Sequence, residues 1–162
     1  MEALISTHLV CSKAQRTVLA LWILHTYSYT SCLTTPYLNV FSPVEESGKS
    51  TCMAVLRGLC AQSWWAAGVS PSAFKRKITA ERPTVLLDNW HSVFRGTDKQ
   101  QMTGFLLSGC DMVRDLCFNT DDPENAGKEC TFSPKAFAGL EPLPTSLARR
   151  SIPIVLQRRN QR

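Results

Sequence analysis

Apolar residues recur along the chain in two rhythms that alternate. In residues 13–27, KAQRTVLALWILHTY, Val18, Leu21, Trp22 and Leu24 fall at helical spacing, which predicts a helix. Pro36-Tyr37-Leu38-Asn39-Val40-Phe41 is short, apolar and rich in strand formers, which predicts a strand. A helix is expected from Lys49 to about Ala61, with Ala54, Val55, Leu56 and Leu59 available to pack. Trp64 to Val69 reads as a second strand, and Ser70-Pro71-Ser72 as the start of a helix running to about Ala80. Pro83 to Asp88 is a buried strand ending in a carboxylate, and Gln100 to Ser108 a helix that Gly109 stops. Residues 121–127 form a polar loop, and Ser151 to Leu156 a last strand whose Pro153 favours a sheet edge. Strands that alternate with helices predict an α/β sandwich around a mostly parallel sheet.

Composition narrows the class. The 162 residues fit one domain, with 44% hydrophobic and 19% charged residues, enough to fill a core. The longest apolar run, Val18 to Leu24, is far short of the roughly 20 residues of a membrane span. Met1-Glu2-Ala3-Leu4 lacks the basic start of a secretory signal, so a cytoplasmic protein that does not enter membranes is expected. The cysteines, at 11, 32, 52, 60, 110, 117 and 130, form no C-x-x-C pair and are odd in number. Buried or incidental free thiols fit better than a zinc site or a disulfide framework. Lys and Arg number 18 against 13 Asp and Glu, but the excess of five is carried by Arg149, Arg150, Arg158, Arg159 and Arg162. That distribution argues against a broadly basic nucleic-acid surface.

The sharpest chemical feature is Gly48-Lys49-Ser50-Thr51, between an expected strand and an expected helix. A phosphate loop needs backbone N–H groups around the β-phosphate, a lysine spanning the β- and γ-phosphates, and a hydroxyl on Mg²⁺. Ser47 and Gly48 supply backbone, Lys49 the charge, and Ser50 the metal-ligand oxygen. The first position of the usual motif is Pro43 rather than Gly, and Glu45 and Glu46 place negative charge in the loop. Alone, the tetrapeptide is also compatible with an ordinary turn opening a helix. Asp88, 39 residues after Lys49, ends Val85-Leu86-Leu87 as a Walker-B aspartate ends its strand and holds the Mg²⁺ shell. Read alone, Asp88 is equally a turn carboxylate. Together the two elements favour the phosphate loop.

These segments resemble the P-loop proteins of domain-of-unknown-function family 3631, found in phage, mobile-element and actinobacterial proteins. The resemblance spans about Leu19 to Arg159. It is carried by Leu21 to Thr26, Thr35 to Leu38, Ser42-Pro43, Ser47 to Thr51, Glu81 to Asp88, Phe132 to Gly139, Leu143-Pro144 and Arg150 to Ile154. Members commonly carry Ser-Pro before the loop, which accounts for Pro43. The resemblance implies an ATPase core similar to the AAA+ and primase-helicase group, divided into an N-terminal helical segment, 1–34, and a three-layer core, 35–162. It implies ATP and Mg²⁺ as cofactors, further copies of the chain as partners, and a link to DNA or a replication protein. Arg150 then falls at the position of an arginine finger, which a neighbouring subunit often supplies. Lys135 reads as a surface lysine, with phosphate sensing as the alternative.

The match departs from the family at the catalytic step. Where a glutamate normally activates water, this chain has Asn89, and an amide accepts no proton as a general base must. Glu81 lies seven residues upstream of Asp88, too far to substitute, and His91 would need a favourable turn. The basic pattern usual between Ser108-Gly109 and Cys117 is reduced to Arg114. The chain stops at Arg162, where AAA+-type ATPases place a helical lid, so a core lacking that lid is expected. Trp64-Trp65 and Phe74-Lys75-Arg76-Lys77 could form a stacking surface for nucleic acid. Packed tryptophans and a solvated helix face fit them better. The reading is an ATP-binding P-loop protein with weak hydrolysis. The alternative is a non-catalytic nucleotide-binding or interaction protein, or a truncated relic of such an ATPase.

Overall fold

The computed structural model describes residues 1–42, 47–90, 99–113 and 130–156. Two helices open the chain, α1 (Glu2–His8) and α2 (Lys13–His25), followed by a single 3₁₀ turn, Tyr29–Ser31. Then come β1 (Tyr37–Phe41), α3 (Lys49–Leu59), β2 (Ser63–Trp65), α4 (Pro71–Glu81), β3 (Thr84–Asp88) and α5 (Lys99–Ser108). The described chain ends with β4 (Lys135–Gly139), a short α6 (Thr145–Ala148) and β5 (Ser151–Val155). The polar loop expected at 121–127 lies outside the described residues.

The five described strands form one sheet in the order β2-β3-β4-β1-β5, and every pairing between them is parallel. Parallel strands need covering on both faces, and alternation along each strand divides the side chains between them. Leu38, Val40, Leu86, Ala136, Ala138 and Ile154 pack on one side with α1, α2 and α3. Tyr37, Val85, Leu87 and Phe137 pack on the other with α4, α5 and α6. The result is the three-layer α/β arrangement expected of a P-loop core. Ile5, Leu19, Trp22 and Ile23 of the N-terminal segment enter the same core as β1 and α3.

Local signals account for most boundaries. Ser12 caps α2 through a capping box, its Oγ accepting from Gln15 N while Ser12 N donates to Gln15 Oε1. Gln15 Nε2 also donates to Val155 O, covering part of the edge of β5, where Pro153 is indeed found. Ser70 caps α4, with Pro71 in its first turn as expected. β2 is shorter than the expected 64–69 stretch, and the chain turns through Gly68 at φ +61°. Strand β4 and helix α6 were not foreshadowed by periodicity. Lys135-Ala136-Phe137-Ala138-Gly139 holds residues that strands usually disfavour, yet all five are buried between β1 and β3.

Lys135 is not the surface lysine the sequence suggests; it is fully buried. Its register partner is Val85, near the amino end of β3, so it lies at the sheet edge opposite the phosphate loop and senses no phosphate there. Three carbonyls, Gly109 O (3.2 Å), Thr131 O (2.8 Å) and Ser133 O (3.0 Å), accept the three ammonium hydrogens. The Tyr37 ring lies 5.0 Å beneath the charge. A buried ammonium is tolerated only when satisfied in this way. Gly109 closes the cage: a Cβ there would lie 2.5 Å from Thr131 O and 2.8 Å from Lys135 Nζ. Gly109→Ala should therefore destabilise the fold by about 1–3 kcal/mol in urea denaturation. Gly58→Ala, with nothing within 4 Å of its new methyl, should stabilise α3 by up to about 1 kcal/mol. Equal effects of the two substitutions would contradict the cage.

At the end of α2, His25 Nε2 lies 2.9 Å from the hydroxyl of buried Thr35, in the segment leading to β1. Burial holds the imidazole below its ordinary pKa. The unfolded chain therefore takes the proton more readily, and protonation favours unfolding. The His25 contribution is complete above about pH 6.5 and is lost as pH falls through the lowered folded-state value. Urea midpoints compared between pH 7.5 and 5.5 should fall further for wild type than for His25→Gln. Parallel losses would dismiss the role of His25.

Candidate phosphate-binding site

All five strands point their carboxyl ends to one sheet edge, and the helices that follow leave that edge on different faces. After β1 the chain enters α3 on the face of Leu38 and Val40; after β4 it enters α6 on the face of Phe137. β1 and β4 are neighbours, so the crevice between them is a topological switch point, where ligands of open α/β sheets bind. Gly48-Lys49-Ser50 lies at this crevice.

The loop is shaped by one glycine. Gly48 has φ +89° and ψ 14°, a left-handed conformation that glycine adopts without steric cost. Nothing lies within 4 Å of a Cβ built there, so conformation rather than crowding calls for glycine. Gly48 is also the N-cap of α3 and has no side chain with which to cap it. The first N–H groups of a helix lack partners within it, and its positive dipole end favours anions. A cavity of about 230 Å³ opens over this turn, lined by Ser47, Gly48, Lys49, Ser50 and Thr51. Ser47 is buried, Lys49 half-buried, and Ser50 and Thr51 are exposed. Lys49 Nζ lies 3.1 Å from Ser47 Oγ and 3.4 Å from Ser42 O, folded back over the loop. Pro43, with Glu45 and Glu46, lies outside the described residues.

Asp88 is the last residue of β3, on the same edge, with β4 between it and β1. Two interstrand steps separate β3 from β1 by roughly 10 Å. Alternation aims Asp88 to the same face as Leu86, which is the face that carries α3. The carboxylate is therefore directed to the side where Ser50 opens the helix, and its Oδ1 accepts from Asn89 N at 3.0 Å. Among the described residues no three His, Cys, Asp or Glu side chains gather as a metal site. One hydroxyl and one carboxylate suit Mg²⁺, which usually completes its shell with phosphate oxygens and water.

Asn89 is exposed and left-handed, with φ +52°. Asparagine tolerates that region better than other residues with a Cβ. Next to it, Trp90 is buried with its indole seated on Gly139, where a Cβ would come 2.5 Å from Nε1. Gly139 is the register partner of Phe41, so this contact fastens the turn after Asp88 to the start of the phosphate loop. Nothing in the sequence pattern marked the Trp90–Gly139 pair.

Other expected residues lie elsewhere. Arg150 immediately precedes β5; its carbonyl accepts from Tyr37 N at 2.9 Å and its Nη1 donates to Ser146 O at 2.6 Å. That is the amino-terminal edge, about five residues or roughly 16 Å along the strands from the loop. Arg150 is thus remote from the loop of its own chain, and an arginine-finger role is open to it only toward a neighbouring copy. Glu81 ends α4 and pairs with Lys77 at 2.8 Å, also far from the loop. His91, Arg114, Arg158, Arg159 and Arg162 lie outside the described residues, as does the position of any lid. Phe74 is buried, Trp64 packs on it at 5.9 Å, and Lys77 Nζ lies 5.4 Å over Trp64. Lys75 Nζ lies 5.7 Å over Phe105. These contacts fit packed aromatics covered by lysine stems better than a stacking platform for bases.

Cys52 and Cys60 form no disulfide, and burial pushes their thiols up to about 12, which leaves them unreactive. Among the described residues no helix is long and apolar enough to cross a membrane. No protein-family model matches the chain, and no characterised protein is significantly similar to it.

The turn after Asp88 can be tested by stability. Asn89→Gly should change unfolding free energy by less than about 0.5 kcal/mol, whereas Asn89→Val should cost about 1–2 kcal/mol or more. Equal values for the two would mean that the left-handed turn is not a constraint.

Proposed function

We propose that this protein binds ATP with Mg²⁺ at the β1–α3 turn. The observation that supports the reading best is the coincidence of three features. Gly48-Lys49-Ser50 opens a helix at the switch point, Gly48 takes the left-handed conformation the turn needs, and Asp88 shares its sheet edge and helix-bearing face. In this reading the N–H groups of Gly48 to Thr51 cradle the β-phosphate, and Lys49 swings from Ser47 toward the β- and γ-phosphates. Ser50 and Asp88 hold the ion, which neutralises charge on the phosphates. Ser47 frames the loop.

Asn89 favours a binding role over rapid turnover. Its amide can orient water but cannot take a proton from it, so hydrolysis in an isolated chain is slow. Arg150, at the far edge, would contribute to turnover only if copies assemble so that one subunit's Arg150 meets its neighbour's nucleotide. We therefore place a homo-oligomer, and DNA or a replication protein in the cytoplasm, as the setting of any ATP-driven work. A non-catalytic nucleotide-binding protein, or a relic of an ATPase, is the second reading, and Asn89 is the residue that favours it.

Mg-ATP at 100 times its Kd should stabilise the fold by about 2.7 kcal/mol, seen as a rise in Tm. Lys49→Ala should remove that rise while melting like wild type without ligand. No rise with wild type, or an equal rise with Lys49→Ala, would defeat the reading. Asn89→Glu should raise turnover if the remaining machinery is intact, after correction for a folding cost of about 1–2 kcal/mol in the left-handed turn.

A further inference from the structure

The phosphate cradle continues beyond its own loop. Thr51, Ala54, Val55 and Gly58 stand at positions i, i+3, i+4 and i+7, so they share one face of α3. Opposite them α1 presents Leu4 and His8, and between the helices lies a second cavity of about 330 Å³ with mainly apolar walls. Thr51 borders both cavities. The outer wall is firmly seated. Ile5 and Leu9 are buried in the core that also holds Cys52, Met53 and Leu56 of α3, and Thr17 Oγ1 donates to Glu2 Oε1 at 2.8 Å. Leu4 is nonetheless left 47% exposed beside the groove.

We propose that this groove receives the base and ribose of the ligand whose phosphates occupy the Gly48 turn. The ligand class is then a nucleoside triphosphate and not an inorganic polyphosphate. The inference rests on the phosphate-loop reading and adds a recognition element to it. The groove starts at Thr51 and runs away from Gly48; at 1.5 Å per residue, Thr51 to Gly58 covers about 10 Å. A ligand anchored by its phosphates would lay its remainder along that path. An inorganic chain would use only the polar cradle and leave Leu4, Ala54 and Val55 in water, whereas a nucleoside would cover them. Small side chains keep the path open: nothing lies within 4 Å of a Cβ built at Gly58. The His8 imidazole and the Thr51 hydroxyl are the polar groups available to a base edge or a ribose hydroxyl.

Calorimetric titration of the full chain with Mg-ATP and with magnesium tripolyphosphate tests the inference, using wild type, Lys49→Ala and Gly58→Leu. Leucine is a better helix former than glycine, so Gly58→Leu fills the groove without weakening α3. ATP should bind wild type at least about ten-fold more tightly than tripolyphosphate. Gly58→Leu should erase that difference while keeping tripolyphosphate affinity and a Tm at or above wild type. Lys49→Ala should weaken both ligands. Equal affinities in wild type, or an ATP affinity untouched by Gly58→Leu, would overturn the groove assignment and leave the phosphate loop standing. If neither ligand binds wild type, or Lys49→Ala weakens neither, the phosphate loop fails and the groove assignment fails with it.

Discussion

Burial of β1 on both faces of an all-parallel sheet constrains the rest of this molecule. A strand with neighbours on both sides and helices above and below can release its chain only at its carboxyl end. There, α3 departs to one face while the chain after β4 departs to the other, and the crevice between them is a consequence of topology. Gly48 turns the chain sharply enough to use that crevice, and its lack of a side chain leaves the start of α3 without a cap from that residue. Strand alternation then aims Asp88 to the face that carries α3. The site is assembled by the sheet before any ligand is considered.

The opposite edge of the sheet is built for a different purpose. Lys135, Thr131, Gly109 and Tyr37 form a satisfied polar knot, and α3, α4, α5 and α6 all end on that side. A lysine held by three carbonyls is locked in place and has no hydrogen left for a phosphate. Arg150, on the same edge, helps define where β5 joins β1 through its carbonyl. The division between the edge that carries the Gly48 turn and a structural edge explains why Lys135 and Arg150, which the resemblance would set beside a nucleotide, lie away from the loop of their own chain. It also makes assembly of copies the condition for any use of Arg150 at a nucleotide.

Much of the binding edge was legible in the sequence because it depends on local chemistry. Tyr37 to Phe41, Lys49 to Leu59 and Thr84 to Asp88 each show the periodicity of their element, and Gly48 and Asp88 sit at the ends where such residues belong. β4 was not legible by pattern, because Lys135, Ala136, Ala138 and Gly139 gain strand character only from the crowded centre of the sheet. Burial of Lys135 depends on carbonyls contributed by residues 109, 131 and 133, a tertiary arrangement without a local signal. The Trp90–Gly139 contact joins residues 49 positions apart in the same way. α1, with Ile5 buried inside it and Leu9 buried just after it, is too short to declare itself by periodicity. The small residues at 51, 54 and 58 were visible, but their use as a groove wall depended on where α1 packs.

The central claim is that the first turn of α3 grips the phosphates of ATP. Backbone amide chemical shifts of the isotope-labelled protein, followed during titration with Mg-ATP, address it residue by residue. The account predicts large, saturable shifts at Gly48, Lys49, Ser50 and Thr51, smaller ones at Asp88 and Asn89, and none around Tyr37, Lys135 and Arg150. Shifts concentrated at the opposite edge, or no saturable shift at Gly48 to Thr51, would contradict it.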